Sequence, residues 1–224
     1  EDSKVEKVRL LTFGSSILGV VTNESDLDTV LLIPASISRD KFFDNFVKFL
    51  ETPREGFVID SIMAVPDAHV PVLKMVVNGL PVDILPCCIP IRDFRVLIES
   101  GKDAIDFRLS HHRDLDTPSL LSLNGVRVGR TLVDSIRAGR IVAEDEMISG
   151  GEDRLVEFQL ALRIVKHWAR ERGIYSNALG FFGGVTWAIL LVQAFIQTDP
   201  AENVLSRFFK FCHEWSWGVF HPVS

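Results

Sequence analysis

The sequence predicts an α+β chain: a mixed sheet with a flanking helix, followed by an all-helical half. Three observations predict it. Short apolar, β-branched runs bounded by turn residues fill most of the first ninety positions. An Asn78-Gly79 dipeptide joins two of these runs in the manner of a tight hairpin. Beyond about residue 118 the apolar spacing changes to the helical period.

The elements follow in order. Residues 8–11 form a short strand that leads into a Gly-Ser turn. Residues 28–33 are apolar and β-branched after Asp28, and Pro34 closes the run. Ser38 is placed as an N-cap with Asp40 in the first turn. Phe42, Phe43, Phe46, Val47, Phe49 and Leu50 then mark one face of a helix over 38–51. Residues 58–65, 72–78 and 82–85 read as three further strands. Residues 98–118 are polar and irregular, which puts a domain boundary near 110: a sheet domain over 1–110 and a helical domain over 111–224. In the second, 154–172 carries Leu155, Phe158, Leu162, Val165 and Ala169 at helical spacing, and 185–197 reads as a buried helix. Asp199, Pro200 and Glu202 match an N-cap, a first-turn Pro and a capping-box acid. The stretch 138–153 is acidic and Gly-rich and reads as a surface loop. The cleft between the two domains is the expected site.

Composition narrows the function. The chain has 224 residues and is 47% hydrophobic, which supports a real core. Its formal charge of −6 disfavours a self-sufficient nucleic-acid binder. Contact with a polyanion would then be local, metal-assisted, or made by segments outside this sequence. Two basic clusters are candidates: 108–113, and Arg163, Lys166, His167, Arg170 and Arg172; a solvated helix face is the competing reading. Three cysteines, two of them adjacent, form no disulfide framework or zinc spacing and suit a reducing compartment. No secretory signal opens the sequence, and the absence of an initial Met suits a fragment or processed form. Residues 178–196 are almost wholly apolar and contain Gly180-x-x-x-Gly184. Gly183-Gly184 should break that run into a loop and a shorter helix, so no membrane partner is expected.

The chemistry centres on Phe13-Gly14-Ser15-Ser16 and Ser25-Asp26-Leu27-Asp28. A Gly-Ser turn can offer backbone N–H groups and a hydroxyl to phosphate. Asp26 and Asp28, at i and i+2 on a strand, point to one face. Asp83 interrupts the otherwise apolar Pro81-Val82-Asp83-Ile84-Leu85, where a charge is costly unless paired or bound to a cation. Three carboxylates suit two Mg²⁺ ions, with Mn²⁺ as an alternative. Exposed turn acids and an exposed strand edge are the competing readings. In the helical half, Lys166, Tyr175 and Asn177 bring an ammonium, a phenol and an amide within reach of a nucleotide, or else form a solvated face and a capping loop.

These residues resemble the eukaryotic nuclear poly(A) polymerases, within the polymerase-β-like nucleotidyltransferase superfamily. The likeness runs through the two motifs above, Val65-Pro66-Asp67-Ala68-His69-Val70-Pro71-Val72-Leu73-Lys74, Pro81 to Leu85, and Ser122-Leu123-Asn124-Gly125-Val126-Arg127-Val128. It continues through Lys166-His167-Trp168-Ala169, Ile174-Tyr175-Ser176-Asn177 and Gly180-Phe181-Phe182-Gly183-Gly184-Val185-Thr186-Trp187-Ala188. It covers nearly the whole chain.

The resemblance implies a nucleotidyltransferase palm followed by the family's all-helical central domain. It implies transfer of AMP from ATP to RNA 3′ ends with release of pyrophosphate. Asp26, Asp28 and Asp83 would hold the metal ions. Phe13, Gly14, Ser15 and Thr22 would line the ATP phosphate pocket. Lys166 and Tyr175 would hold the triphosphate, and Asn177, Gly184 and Val185 would meet the nucleoside. Asn124 would brace the cleft floor, with Val70 and Lys74 along the primer and nucleotide path. A nuclear location, with the cytosol as the alternative, and 3′-end processing partners would follow. His69 stands where the family commonly has an aromatic, and an imidazole stacks less strongly than Phe. The family's N-terminal segment and C-terminal RNA-binding domain are not found in this sequence, which reads as a catalytic core fragment or a reduced member of the family. Uridylyl transfer by the same chemistry and a catalytically silent RNA- or protein-binding module are the alternatives.

Overall fold

The computed structural model describes residues 8–53, 55–94, 114–138, 151–197 and 203–217. Among them the strands are β1 (Arg9–Thr12), β2 (Leu27–Pro34), β3 (Ile59–Val65), β4 (Val72–Val77) and β5 (Leu80–Ile89). The helices are α1 (Arg39–Leu50), α2 (Thr117–Ala138), α3 (Gly151–Glu171), α4 (Gly184–Gln197) and α5 (Val204–Glu214). The chain divides into two compact units, Glu1–Gly129 and Arg130–Ser224.

The first unit is a five-stranded mixed sheet in the order β1-β2-β5-β4-β3. Only β2 and β5 are parallel; the other neighbours are antiparallel. The β4–β5 hairpin turns at Asn78 (φ 49°) and Gly79 (φ 78°), the double left-handed conformation that a two-residue turn of this type requires. β5 is longer than its apolar run suggests and continues through Pro86 and the two cysteines. β4 pairs with it only as far as Ile84, so Pro86 lies where one side of β5 is an edge and tolerates a missing N–H.

Alternation divides the sheet into two apolar faces. Leu31, Ile33, Leu73, Met75, Val82 and Ile84 pack with Phe42, Phe43 and Leu50 of α1. Val30, Leu32, Cys87 and Ile89 form the opposite face with Leu115, Leu123 and Val126. Burying one such side chain stabilises by about 1.5–3 kcal/mol. Helix α1 begins where expected: Ser38 Oγ accepts from the Lys41 N–H at 3.3 Å. Arg39 then donates to both carboxylate oxygens of Asp116, at 2.9 and 3.0 Å, and to Ser119 Oγ at 2.9 Å. That fork ties α1 to the approach to α2. Burial pushes the Asp116 carboxyl up, but hydrogen bonds from Arg39 and Ser119 outweigh it and hold it below the ordinary range.

The second unit buries Phe158, Leu162 and Val165 of α3 against a core shared with Leu191 and Ala194 of α4 and Phe208 of α5. One sequence expectation changes here, at residues 151–153. The start of α5 is capped by Asn203, whose Oδ1 accepts from the Leu205 and Ser206 amides at 3.0 and 3.4 Å. The expected cap over 199–202 lies outside the described residues. Residues 151–153, expected in a loop, form the first turn of α3, with Glu152 and Asp153 favourably placed at the helix's positive end. The apolar run 178–196 is broken as expected: Asn177–Leu179 is a 3₁₀ turn, Gly180 is left-handed, and α4 starts at Gly184. Among the described residues no helix is long and apolar enough to cross a membrane.

Candidate active site

The sheet's registry sets the first cluster. Asp28 on β2 lies directly opposite Asp83 on β5, and Asp83 lies opposite Lys74 on β4. The three side chains therefore share a face. It is the face that carries Val30 and Leu32 further along β2. There the α2-side residues cover the sheet, whereas Asp28 near the start of β2 and Asp83 within β5 stay partly exposed. Asp26, two residues before Asp28, joins them. Carboxylate oxygens from Asp26, Asp28 and Asp83 lie within 4.8 Å of one another. Three hard oxygen donors at that spacing suit Mg²⁺ or Mn²⁺.

The Gly-Ser turn is fastened over these acids. The Phe13 amide donates to the Asp28 carbonyl at 3.1 Å, and the Val20 amide donates to the Ser15 carbonyl at 2.9 Å. Gly14 is left-handed (φ 61°), and a Cβ there would collide with Asp28 Oδ2. Glycine is thus required twice, by conformation and by close approach. The Phe13 ring packs into the α2-side core, so its backbone rather than its ring serves the turn. Ser15 Oγ is buried with no hydrogen-bond partner. An orphaned hydroxyl in a loop beside carboxylates is a ready donor for a phosphate oxygen. The Thr22 hydroxyl meets Ser25 Oγ at 3.1 Å, and Ser25 Oγ also accepts from the Thr22 amide at 3.0 Å. Thr22 therefore closes the turn that delivers Asp26.

Lys74, expected along the primer path, makes a more specific contact. Its Nζ lies 2.6 Å from Asp83 Oδ2. Val70 is half-buried just ahead of β4, and His69 beside it is exposed. Asn124 is exposed on α2, next to Gly125.

Lys166, Tyr175, Asn177, Gly184 and Val185 belong to the second unit. Gly173 (φ 68°) ends α3, and Ser176 (φ 126°) and Gly180 (φ 80°) turn the chain back so that Tyr175 bridges Phe182. The hydroxyl of Tyr175 stands 2.9 Å from where a Gly184 Cβ would be, and Lys166 Nζ stands 3.9 Å from the same point. Asn177 packs its amide against Gly183 in the same way, at 2.6 Å. The phenol, the ammonium and the start of α4 therefore converge, while Val185 is exposed. Arg170 lies over the Tyr175 ring, 4.9 Å from its centre, so it holds the phenol rather than standing in a solvated face. The basic cluster at 108–113 lies outside the described residues.

Several contributors escape a reading of the sequence. Thr29, wholly buried, donates to the Asp83 carbonyl at 2.9 Å and locks the two acid-bearing strands. Gly125 and Gly129 leave room for Phe13 and Ile17, which carry the Gly-Ser turn. Their i, i+4 spacing on one helix was the available signal. Cys87 is not a rival nucleophile: burial pushes its thiol up to about 12, so it stays protonated at neutral pH.

Comparison with known proteins identifies the family. Residues 2–136, more than half of the chain, match the poly(A) polymerase nucleotidyltransferase domain, and residues 157–224 match the poly(A) polymerase central domain. Poly(A) polymerase from Dictyostelium discoideum is 35% identical over 93% of this chain and 23% of its own length. Poly(A) polymerase pla1 of Schizosaccharomyces pombe is 32% identical over 93% of this chain and 33% of its own. Nuclear poly(A) polymerase 4 of Arabidopsis thaliana is 33% identical over 93% and 25%. The chain thus spans about a quarter to a third of the length of these curated relatives. Among solved structures, the polymerase core of TRAMP, an RNA surveillance complex, superposes with a TM-score of 0.53 at 15% identity, covering 93% of this chain and 52% of that one. The Cid1 poly(U) polymerase also superposes at 0.53 and 15% identity, covering 98% and 64%. At such identities the likeness establishes the fold. The sheet, the acid cluster and the domain matches together establish that the chain belongs to the poly(A) polymerase family, as a nucleotidyltransferase domain followed by central-domain sequence.

Proposed function

We propose that the protein transfers AMP from ATP to an RNA 3′ end without a template and releases pyrophosphate. The observation that carries this reading is the convergence of Asp26, Asp28 and Asp83 beneath a Gly14–Ser15 turn with an unpartnered hydroxyl. Membership of the poly(A) polymerase family supports it.

In the proposed reaction the RNA 3′-hydroxyl oxygen forms a bond to the α-phosphorus of ATP. The bond from that phosphorus to the α–β bridging oxygen breaks, pyrophosphate leaves, and the hydroxyl proton passes to solvent. Asp26, Asp28 and Asp83 would hold two divalent ions. Bound there, such ions acidify the attacking hydroxyl and offset charge on the leaving pyrophosphate. The chain's own groups bind and orient. Gly14, Ser15 and the Phe13 backbone receive phosphate, and Thr22 fixes the turn that aims Asp26. Lys166 and Tyr175 hold the triphosphate, Asn177, Gly184 and Val185 meet the nucleoside, and Asn124 supports the floor of the site. Val70 and Lys74 lie on the primer and nucleotide path. A nuclear location and association with 3′-end processing proteins complete the proposal.

The test is a tailing assay with an oligo(A) primer, Mg²⁺ and the four nucleoside triphosphates in competition. ATP-dependent extension by the wild-type protein, lost in Asp83→Ala, is the expected result. A preference for UTP would overturn the choice of adenylyl transfer. Unchanged Mg²⁺-dependent extension by Asp83→Ala would overturn the site assignment.

A further inference from the structure

We propose that Lys74 is a built-in counter-ion of the acid cluster: its pair with Asp83 and a divalent ion on Asp83 exclude each other, so metal loading releases the Lys74 ammonium onto the open sheet face. This rests on the metal-holding role proposed above for Asp26, Asp28 and Asp83.

The pair is imposed by the fold. Lys74 and Asp83 are directly opposed on antiparallel β4 and β5, and Asp83 is in turn opposed to Asp28 on β2. A row of two acids and one cation thus crosses three adjacent strands on a single face. The ammonium approaches to 2.6 Å of Asp83 Oδ2. Magnesium binds carboxylate oxygen at roughly 2 Å and demands near-octahedral geometry. An ion bound to Asp83 Oδ2 would thus face a like charge at close range, across one shared oxygen. The backbone of Asp83 is fixed, because Thr29 holds its carbonyl at 2.9 Å and its strand is paired on both sides, and its short side chain has little reach. Lys74 can move away: its side chain is 47% exposed, against 19% for Asp83, and its flexible stem needs only a rotamer change.

The direction of release is also set. Lys74 is opposed on its other side by Met63 of β3, which is 56% exposed. The ammonium therefore swings along an accessible strip of sheet, still within reach of the acid cluster. A cation freed at that position is available to a phosphate oxygen of the incoming nucleotide or RNA. Metal loading and the supply of a positive charge for the polyanion become a single event. Lys74 is in this sense a positioning residue, acting on the site through Asp83.

The experiment measures Mn²⁺ binding by electron paramagnetic resonance on the whole protein. It compares wild type, Lys74→Met, Lys74→Arg and Asp83→Asn, with Tm values confirming that each is folded. In parallel, reductive methylation of wild-type lysines is followed by mass spectrometry with and without Mg²⁺. The expected result is Mn²⁺ binding roughly two- to fivefold tighter in Lys74→Met, the range of a half-exposed ion pair, with Lys74→Arg close to wild type. Methylation of Lys74 should rise severalfold with Mg²⁺ while Lys41 and Lys48 on α1 stay unchanged. Equal or weaker Mn²⁺ binding by Lys74→Met, or Lys74 labelling indifferent to Mg²⁺, overturns the counter-ion role while leaving the metal site standing if Asp83→Asn loses Mn²⁺. Wild-type Mn²⁺ binding by Asp83→Asn overturns the metal site itself and this inference with it.

Discussion

The acid cluster and the Lys166–Tyr175–Gly184 constellation are built by opposite means. Asp28, Asp83 and Lys74 stand side by side because strand registry leaves them no choice. Lys166, Tyr175 and Gly184 meet because a loop is bent through Gly173, Ser176 and Gly180, all at positive φ, and drawn back onto α3. The first is held by ladder hydrogen bonds spread over a sheet. The second is held by local backbone hydrogen bonds at Ile174, Ser176 and Phe181, by two left-handed glycines and by the Arg170 contact with the Tyr175 ring; Ser176 is its one strained non-glycine. Registry gives rigid placement of charges that would otherwise repel. A bent loop places its groups through a few local turns instead.

This contrast can be broken by substitution, and the largest effect belongs to the registry side. Asp28→Asn should lower Mg²⁺-dependent tailing by about three orders of magnitude, since removing metal ligation forfeits several kcal/mol of transition-state stabilisation. Steady-state rates with oligo(A) measure it, and a loss under about tenfold would detach the acids from the chemistry. Next comes Gly14→Ala. Its methyl group meets Asp28 Oδ2 and its φ is left-handed, so a cost of about 1–2 kcal/mol in stability should accompany weaker Mn²⁺ binding. Denaturant unfolding and a Mn²⁺ titration read the two effects separately.

The loop side should respond more mildly. Tyr175→Phe removes one hydrogen-bonding group and should weaken nucleotide binding by about 1 kcal/mol, roughly fivefold, with Tm little changed. Gly184→Ala should do at least as much, because its methyl would stand 2.9 Å from the phenol oxygen. A loop that yields to the methyl and binds nucleotide normally would show the constellation to be adaptable rather than preformed.

The smallest effect concerns the fork that ties α1 to α2. The folded carboxyl of Asp116 lies below its ordinary value, so its contribution to stability is present above the unfolded carboxylate range and lost as pH falls through the folded value. Asp116 is half exposed, so solvent screening limits that contribution to about 0.5–1 kcal/mol. Asp116→Asn should be less stable than wild type at pH 7, and the gap should close below about pH 4. A gap that persists unchanged in acid would assign the effect to packing instead of charge.

The same contrast explains what was legible in the sequence. Asp83 announced itself because an acid in an apolar run violates the pattern, whereas Asp26 and Asp28 were marked by their i, i+2 spacing after the Gly-Ser turn, which predicts a shared face. Asn78-Gly79 announced its turn for an equally local reason. The Lys74–Asp83 pair was not readable without the registry of β4 on β5, and Thr29 looked like any polar strand residue. The Asn203 cap of α5 was not singled out, because several residues able to cap precede Val204. On the loop side Lys166, Tyr175 and Asn177 gave only a weak signal of their own, and Gly184 and Val185 entered through family resemblance. Lys166, Tyr175 and Gly184 follow no period, and their meeting depends on positive-φ residues that include a non-glycine, Ser176.

The central claim is that one divalent-metal site is built from Asp26, Asp28 and Asp83. Anomalous diffraction from crystals soaked with Mn²⁺ and a non-hydrolysable ATP analogue tests it most directly. Anomalous peaks are expected roughly 2 Å from the Asp26, Asp28 and Asp83 carboxylate oxygens, with Lys74 turned away from Asp83. Nucleotide density with no peak at these three carboxylates, or Mn²⁺ bound elsewhere on the chain, would contradict it.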